Sequence, residues 1–375
     1  MVKLLLKWLG LVKSKLAFLV GGVVMTLDRP SLFGVTNSNR DFSDKKTWGK
    51  NQFNSSFPAA LCCYLASQGH DAVYLSITAG KFEATSVPIS KVFGIDPTSN
   101  ELFFAFESQH APFQKYVVGN LPRTDLVTQS TKTGQCLAGL EIKLTALPDN
   151  TTCDLSDDSY GSEIVVRPDT IVYLACSIAD SLGEELGSVL EEVHVTSWSD
   201  PASVLVVIDQ IFGVIERVYR ALEGTQKPFL IQPIWKTVGK SPRLADQCLD
   251  VFVWSDAGFA SFIASIPNRK PDVVRINRQT RTVVWLYRML LDIKKTGQFD
   301  HEKIIDELSY NTRNDKAFAS AGNVTNGYMK CARLETPLIR KKDISKIILG
   351  GGQNMLSPER RFDAILFNTP ELFGK

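Results

Sequence analysis

Two strand-like segments, Asp125–Ser130 and Leu137–Ala146, are joined by Thr131-Lys132-Thr133-Gly134-Gln135, a short polar turn with one glycine. That pattern is a β-hairpin, and it commits this part of the chain to a sheet. The second run is unusual for a core strand. In Gly139-Leu140-Glu141-Ile142-Lys143-Leu144, two charges stand at positions i and i+2, which face the same side of a strand. Charges are kept inside a protein only where they have a partner or a task. With the turn centred on Thr133, Asp125 lies opposite Glu141, and one face of the hairpin presents Asp125, Glu141 and Lys143 together. A slip of one residue would separate them.

Two carboxylates held close repel each other unless a divalent cation lies between them. Hard oxygen ligands suit Mg²⁺, which keeps several waters and binds phosphate oxygen. Lys143 beside such an ion has the charge to orient an attacking water and to stabilise negative charge developing on a phosphate. The pattern therefore reads as metal-assisted hydrolysis of a phosphodiester. Asp125 and Glu141 would be the metal ligands, and Lys143 would position or activate the water. The competing reading is a DNA-binding module in which the same three residues form a structural salt-bridge cluster. Asp44-Lys45-Lys46 and Asp292-Ile293-Lys294 repeat the acid–x–Lys spacing, but the first lies in a polar loop and the second on an amphipathic helix. Glu83 and Glu107 are further acids upstream, candidates for a third carboxylate in the site but more simply read as exposed.

Composition narrows the class. Of 375 residues, 42 are basic and 40 acidic, a net charge of +2, and 44% are hydrophobic. This is a globular balance without a histone-like blanket of charge, and it leaves room for a local basic cleft. The seven cysteines form no C-x-x-C, and the four histidines are scattered. Reduced thiols in a cytoplasmic protein are expected, with no His-ligated metal. The Gly239-Lys240-Ser241 triplet lacks the upstream glycine of a phosphate loop, because Ile234 stands in its place.

Along the chain, Ser56–Gln68 reads as a buried helix, Asp71–Ile77 and Glu101–Phe106 as strands, and Asp169–Ala179 as either. Ala202–Leu222 has helical period, Phe229–Ile234 and Cys248–Trp254 are short strands, and Thr282–Lys295 and Glu302–Leu308 are helices. Ala364–Phe367 is strand-like. Uneven alternation with hairpins favours an α/β fold in which helices flank both faces of a mixed central sheet. Residues 1–24 are greasy and basic and read as a leader or over-long start outside the fold. A membrane-surface amphipathic helix and a signal peptide are the alternatives. The uncharged run is too short to cross a bilayer, and no stable membrane association is expected. Two basic clusters are candidates for DNA phosphates: Arg275, Arg278 and Arg281, and Arg340, Lys341 and Lys342.

Asp125, Glu141 and Lys143 resemble the PD-(D/E)xK nuclease pattern, with Thr124 where the pattern usually has proline. Longer stretches resemble the HindVP-type restriction endonucleases: SLFGVTNSNRDFSDKKTWGKNQFNSSFPAAL (31–61), AFESQHAPFQKYVVGNLPRTDLV (105–127), CLAGLEIKLTALPDNTT (136–152) and GGGQNMLSPERRFDAILFN (350–368). The resemblance implies a restriction-endonuclease-like core and a type II enzyme that cuts double-stranded DNA with Mg²⁺ at a short palindrome of the GRCGYC type. It implies a homodimer, one active site per strand, and a cognate DNA methyltransferase as functional partner. The nuclease domain would span 25–375, with its catalytic core at about 70–180 and recognition elements within 225–375.

Overall fold

A computed structural model describes residues 17–20, 23–26, 37–40, 50–143, 145–148, 164–237, 244–267, 276–320 and 331–343. Strands β1 (Ala17–Val20) and β2 (Val23–Thr26) form a separate antiparallel hairpin. The described part of the leader is thus extended rather than helical. Helix α1 (Lys50–Ser67) precedes β3 (Ala72–Thr78), β4 (Lys81–Val87) and β5 (Leu102–Ser108). The hairpin strands are β6 (Thr124–Ser130) and β7 (Cys136–Ile142), followed by β8 (Thr145–Pro148) and β9 (Ile164–Val166). Then come α2 (Pro168–Leu182), α3 (Ile208–Ala221), β10 (Pro228–Thr237), β11 (Leu244–Ser255), α4 (Asp256–Ser265), α5 (Arg278–Thr296) and α6 (His301–Glu307). The short strands β12 (Phe318–Ser320) and β13 (Ile339–Arg340) end the described chain.

The central sheet is mixed, in the order β4-β3-β11-β10-β7-β6-β5, with β8 and β13 joined to β10 and β11. β10 runs parallel to β7 and antiparallel to β11, which runs parallel to β3. Two-residue periodicity divides the core. Leu230, Ile234, Phe252 and Trp254 face helices α2–α5, while Ile231, Trp235, Val251 and Val253 face α1. Helices therefore cover both faces, as the alternation predicts. The span 225–255 supplies two central strands, so the β6–β7 hairpin and the downstream half share one sheet.

Three departures have local causes. The first helix begins at Lys50, six residues before Ser56, and carries Pro58 in its interior rather than in its first turn. The ambiguous 169–179 segment is helical because Pro168 occupies the first turn, where its missing N–H costs nothing, and Asp169 follows it. The 202–222 helix is broken: Pro201–Leu205 and α3 are separated at Val206-Val207, within a β-branched run, and Val206 is 84% exposed. β4, an edge strand with mostly exposed side chains, has no sequence pattern that marks it as sheet.

Candidate active site

The hairpin register is the expected one. Leu126 pairs with Leu140, Val127 with Gly139 and Thr128 with Ala138, before an irregularity near the turn. Continuing that ladder outward puts Asp125 across from Glu141. Leu126, Leu140 and Ile142 point into the core beneath α1, so the alternate residues turn to the opposite face, the one α2 covers. Asp125, Glu141 and Lys143 meet there, as read from the sequence.

Lys143 is the centre of the cluster. Its Nζ lies 3.0 Å from Glu141 Oε2 and 3.8 Å from Asp125 Oδ2. Its backbone N–H donates to Ile231 O at 3.0 Å, which ties the end of the hairpin to β10. Burial alone would pull the ammonium down. Attraction from Glu141 and Asp125 outweighs it and holds the group above the usual lysine range. Glu141 is buried and accepts from two hydroxyls: Thr170 Oγ1 at 2.8 Å and Thr124 Oγ1 at 3.1 Å. Thr124 Oγ1 also lies 2.9 Å from Leu140 O. Asp125 accepts the Ile142 N–H at 2.8 Å, while its side chain stays 38% exposed. Burial pushes its carboxyl up to about 6, against the pull of Lys143, with Glu141 and Glu107 adding repulsion.

The surrounding wall comes from α2 and the segment before β6. Thr170 stands in the first turn of α2, next to Asp169, whose carboxyl is raised by burial and by the Glu141 charge. Tyr173, one turn further, accepts the His110 N–H at 3.1 Å and donates to Pro122 O at 2.9 Å. His110 packs edge-on to Phe113 and is buried against Gly139, and burial lowers its imidazole to about 4. A Cβ on residue 139 would lie 2.8 Å from the Cβ of His110, so only glycine leaves the ring room against β7. Thr170, Tyr173 and His110 carry no spacing signal in the sequence. The hydroxyl pattern at the start of α2 would have been the clue, had the segment been read as helix.

Of the two upstream acids, Glu107 belongs to this neighbourhood and Glu83 does not. Phe106 pairs with Leu126 and Ser108 with Thr124, so Glu107 is the cross-strand neighbour of Asp125. Its backbone has φ +48°, a left-handed conformation that side chains rarely adopt. Its carboxylate accepts Arg40 Nη2 at 2.8 Å. Arg40 is brought there by residues 37–40, whose backbone and amide groups bond the free edge of β5 at Leu102, Phe104 and Phe106. Glu83 pairs with Ser76 at the far edge of the sheet.

The expected DNA-contacting residues divide. Arg281 is a correction: it is 0% exposed, and its guanidinium donates to Ser309 O, Asn314 Oδ1, Arg313 O and Lys316 O while stacking on Trp285. It fastens α5 to the 309–316 loop and cannot reach a phosphate. Arg278 is half-buried and lies 3.9 Å from Asp315. Arg340 is exposed on β13 and pairs with Asp343 at 3.2 Å, with Lys341 and Lys342 in the helical residues that follow. Arg275 lies outside the described residues, as do 238–243, Asp44–Lys46 and the 350–368 stretch. Among the described residues, no group of three or more His, Cys, Asp or Glu is arranged to hold a metal ion, and no helix is long and apolar enough to cross a membrane.

Comparison with known proteins agrees with the hairpin. A family model described as HindVP restriction endonuclease matches residues 48–373. A protein of Haemophilus influenzae (strain ATCC 51907 / DSM 11121 / KW20 / Rd), named as probable type II restriction enzyme HindVP, is 52% identical over 348 residues, covering 92% of this chain and 95% of that protein. The type II restriction enzyme HgiDI of Herpetosiphon aurantiacus is 42% identical over 354 residues, covering 92% of this chain and 98% of that protein. No solved structure matches the chain. With a mixed α/β core, an Asp/Glu/Lys cluster on a sheet hairpin and near-full-length relatives, this chain belongs to the HindVP family of type II restriction endonucleases, nucleases of the PD-(D/E)xK superfamily.

Proposed function

We propose that this chain hydrolyses phosphodiester bonds of double-stranded DNA with Mg²⁺, using Asp125 and Glu141 as metal ligands and Lys143 to position the attacking water. The observation that carries the reading is the convergence of both carboxylates on a single cation, the Lys143 ammonium, at 3.0 and 3.8 Å. Two acids held this close need a positive charge between them. The donor set is all hard oxygen and small in number, which fits Mg²⁺, an ion that keeps most of its waters. When bound, Mg²⁺ would supply Lewis-acid polarisation of the phosphate and a more acidic water.

The protein's own groups do the rest. The hydroxyls of Thr170 and Thr124 fix the Glu141 carboxylate, and the Ile142 N–H fixes one oxygen of Asp125. Lys143 keeps its proton at neutral pH, so it acts by charge and donated hydrogen bonds, orienting water and stabilising the negative charge that grows on the phosphate. The target is a short palindrome of the GRCGYC type, cut by a homodimer with one active site per strand, in a cytoplasm where a cognate methyltransferase protects the host's own sites. The domain spans 25–375, and recognition is placed within 225–375, outside the two central strands that this span gives to the sheet. The pairing of β7 with β10, β10 with β11 and β11 with β13 puts Arg340 about 23 Å along the strands from Glu141, the length of about seven base pairs.

The test is a digest of unmethylated plasmid DNA with Mg²⁺ or with EDTA, using wild type and Lys143→Ala. Discrete fragments from wild type with Mg²⁺ alone are expected, and end sequencing then gives the site. Intact DNA in every lane from folded protein would leave a DNA-binding module with a structural ion cluster.

A further inference from the structure

Most of the described arginines are occupied. Among the described residues, Arg40, Arg217, Arg220, Arg278, Arg288, Arg333 and Arg340 pair with carboxylates, and Arg281 is taken up by carbonyls. Only the side chains of Arg123, Arg167 and Arg313 among the described arginines make no hydrogen bond, ion pair or ring contact, and all three are exposed. Two of those three stand close in the chain to residues of the candidate site. Arg123 stands two residues before Asp125. Arg167 caps α2, three residues before the Thr170 that holds Glu141, and its charge is felt by Lys143 and Asp169.

Both have fixed backbones and free side chains. The chain before Arg123 is pinned on two sides: Leu121 O accepts from the Gln109 amide, Leu121 N donates to Gln114 Oε1 at 3.3 Å, and Pro122 O accepts the Tyr173 hydroxyl at 2.9 Å. Arg167 lies between β9, which is paired with β12, and Pro168, whose ring fixes the start of α2. Holding the main chain while leaving the guanidinium without a partner is the arrangement of a group that meets its acceptor in a complex. Near a cluster of carboxylates an approaching phosphate is repelled, and a planar cation on each side offsets that and binds its oxygens bidentately.

We propose that Arg123 and Arg167 contact the DNA backbone on either side of the phosphate to be cut. The inference rests on the nuclease reading above and adds the residues that seat the strand in the site. Its test reads binding alone. In a Lys143→Ala parent, binding to a fluorescein-labelled linear duplex of mixed sequence is followed by anisotropy at a series of salt concentrations. Arg123→Gln and Arg167→Gln should each weaken binding about tenfold and reduce the slope of log affinity against log salt by about 0.9, with additive slopes in the double variant. Arg→Lys at either position should restore the slope while recovering affinity only in part. Arg313→Gln, equally exposed and unpaired, should change neither. Melting temperatures should stay close to the parent in all, since neither side chain makes a hydrogen bond or ion pair in the protein. Unchanged slopes for both Gln variants, or an equal effect from Arg313→Gln, would overturn the inference. Failure of the plasmid digest would instead count against metal-dependent cleavage and leave this binding result to be judged separately.

Discussion

Replacing Arg281 by Met separates a structural arginine from a DNA-binding one. The side chain is fully buried, and its guanidinium serves Ser309 O and Asn314 Oδ1 at 3.0 Å, Arg313 O at 3.3 Å and Lys316 O at 3.4 Å. It also lies 4.4 Å from the Trp285 ring centroid. Met fills much of the volume but removes the donor to Asn314 Oδ1, Arg313 O and Lys316 O, while Ser309 O keeps the Thr312 N–H and hydroxyl. A buried acceptor without a donor costs about 1–3 kcal/mol, and the stacked cation adds about 1 kcal/mol. Entry of water and movement of the 309–316 loop recover part of this, so a net loss of about 3–5 kcal/mol is expected. Against a total stability of about 5–15 kcal/mol, that is a large fraction. Urea unfolding should show a lower midpoint with an unchanged slope. Below the transition the variant should bind duplex DNA as wild type does. Unchanged stability together with weakened DNA binding would refute the structural assignment.

Other consequences follow from the same geometry. Thr170→Val removes a hydroxyl from Glu141 Oε2 at little change in shape; stability should fall by about 1–2 kcal/mol, while cleavage per folded molecule drops about tenfold or more, and equal cleavage would mean that the hydrogen bond does not position the carboxylate. Gly139→Ala places a Cβ 2.8 Å from the Cβ of His110 and should cost about 1–3 kcal/mol in thermal or urea unfolding, with His110→Ala in the same chain restoring part of the loss. Asp256 is fully buried, and burial pushes its carboxyl up to about 6 despite hydrogen bonds from Ser181, Ser177 and two backbone N–H groups. A folded pKa above the ordinary 3.8 means that the folded state binds the proton more tightly. The stability from this group is therefore full below 3.8 and is lost as pH rises through about 6, by ~3 kcal/mol. Asp125 acts in the same direction over the same window. Stability measured by urea unfolding that instead rises across this range would contradict both assignments.

The fold and site were legible where chemistry and period coincide. Glu141 and Lys143 break an apolar strand at positions that share a face, and the turn Thr131–Gln135 sets the register that brings Asp125 opposite Glu141. Central strands such as β3 and β11 announce themselves by continuous apolar runs. β4 does not, because an edge strand exposed on most of its length needs no apolar pattern. The α2 segment was ambiguous because a helix buried all round has no polar face to mark its period. That ambiguity also hid Thr170 and Tyr173, whose contacts with the site depend on the helix. Arg281 shows the limit of charge runs. Arg275, Arg278 and Arg281 look alike in the sequence, yet Asn277 caps α5 through the Thr280 N–H and thereby turns Arg281 inward onto Trp285.

The claim that Asp125 and Glu141 hold the metal is tested most directly by Mn²⁺ binding to the folded protein, followed by electron paramagnetic resonance, in wild type, Asp125→Asn and Glu141→Gln. Bound Mn²⁺ in wild type and its loss or strong weakening in both variants, each shown to be folded by circular dichroism at the assay temperature, is the predicted result. Mn²⁺ bound equally by all three proteins would contradict the account and place the metal elsewhere in the chain.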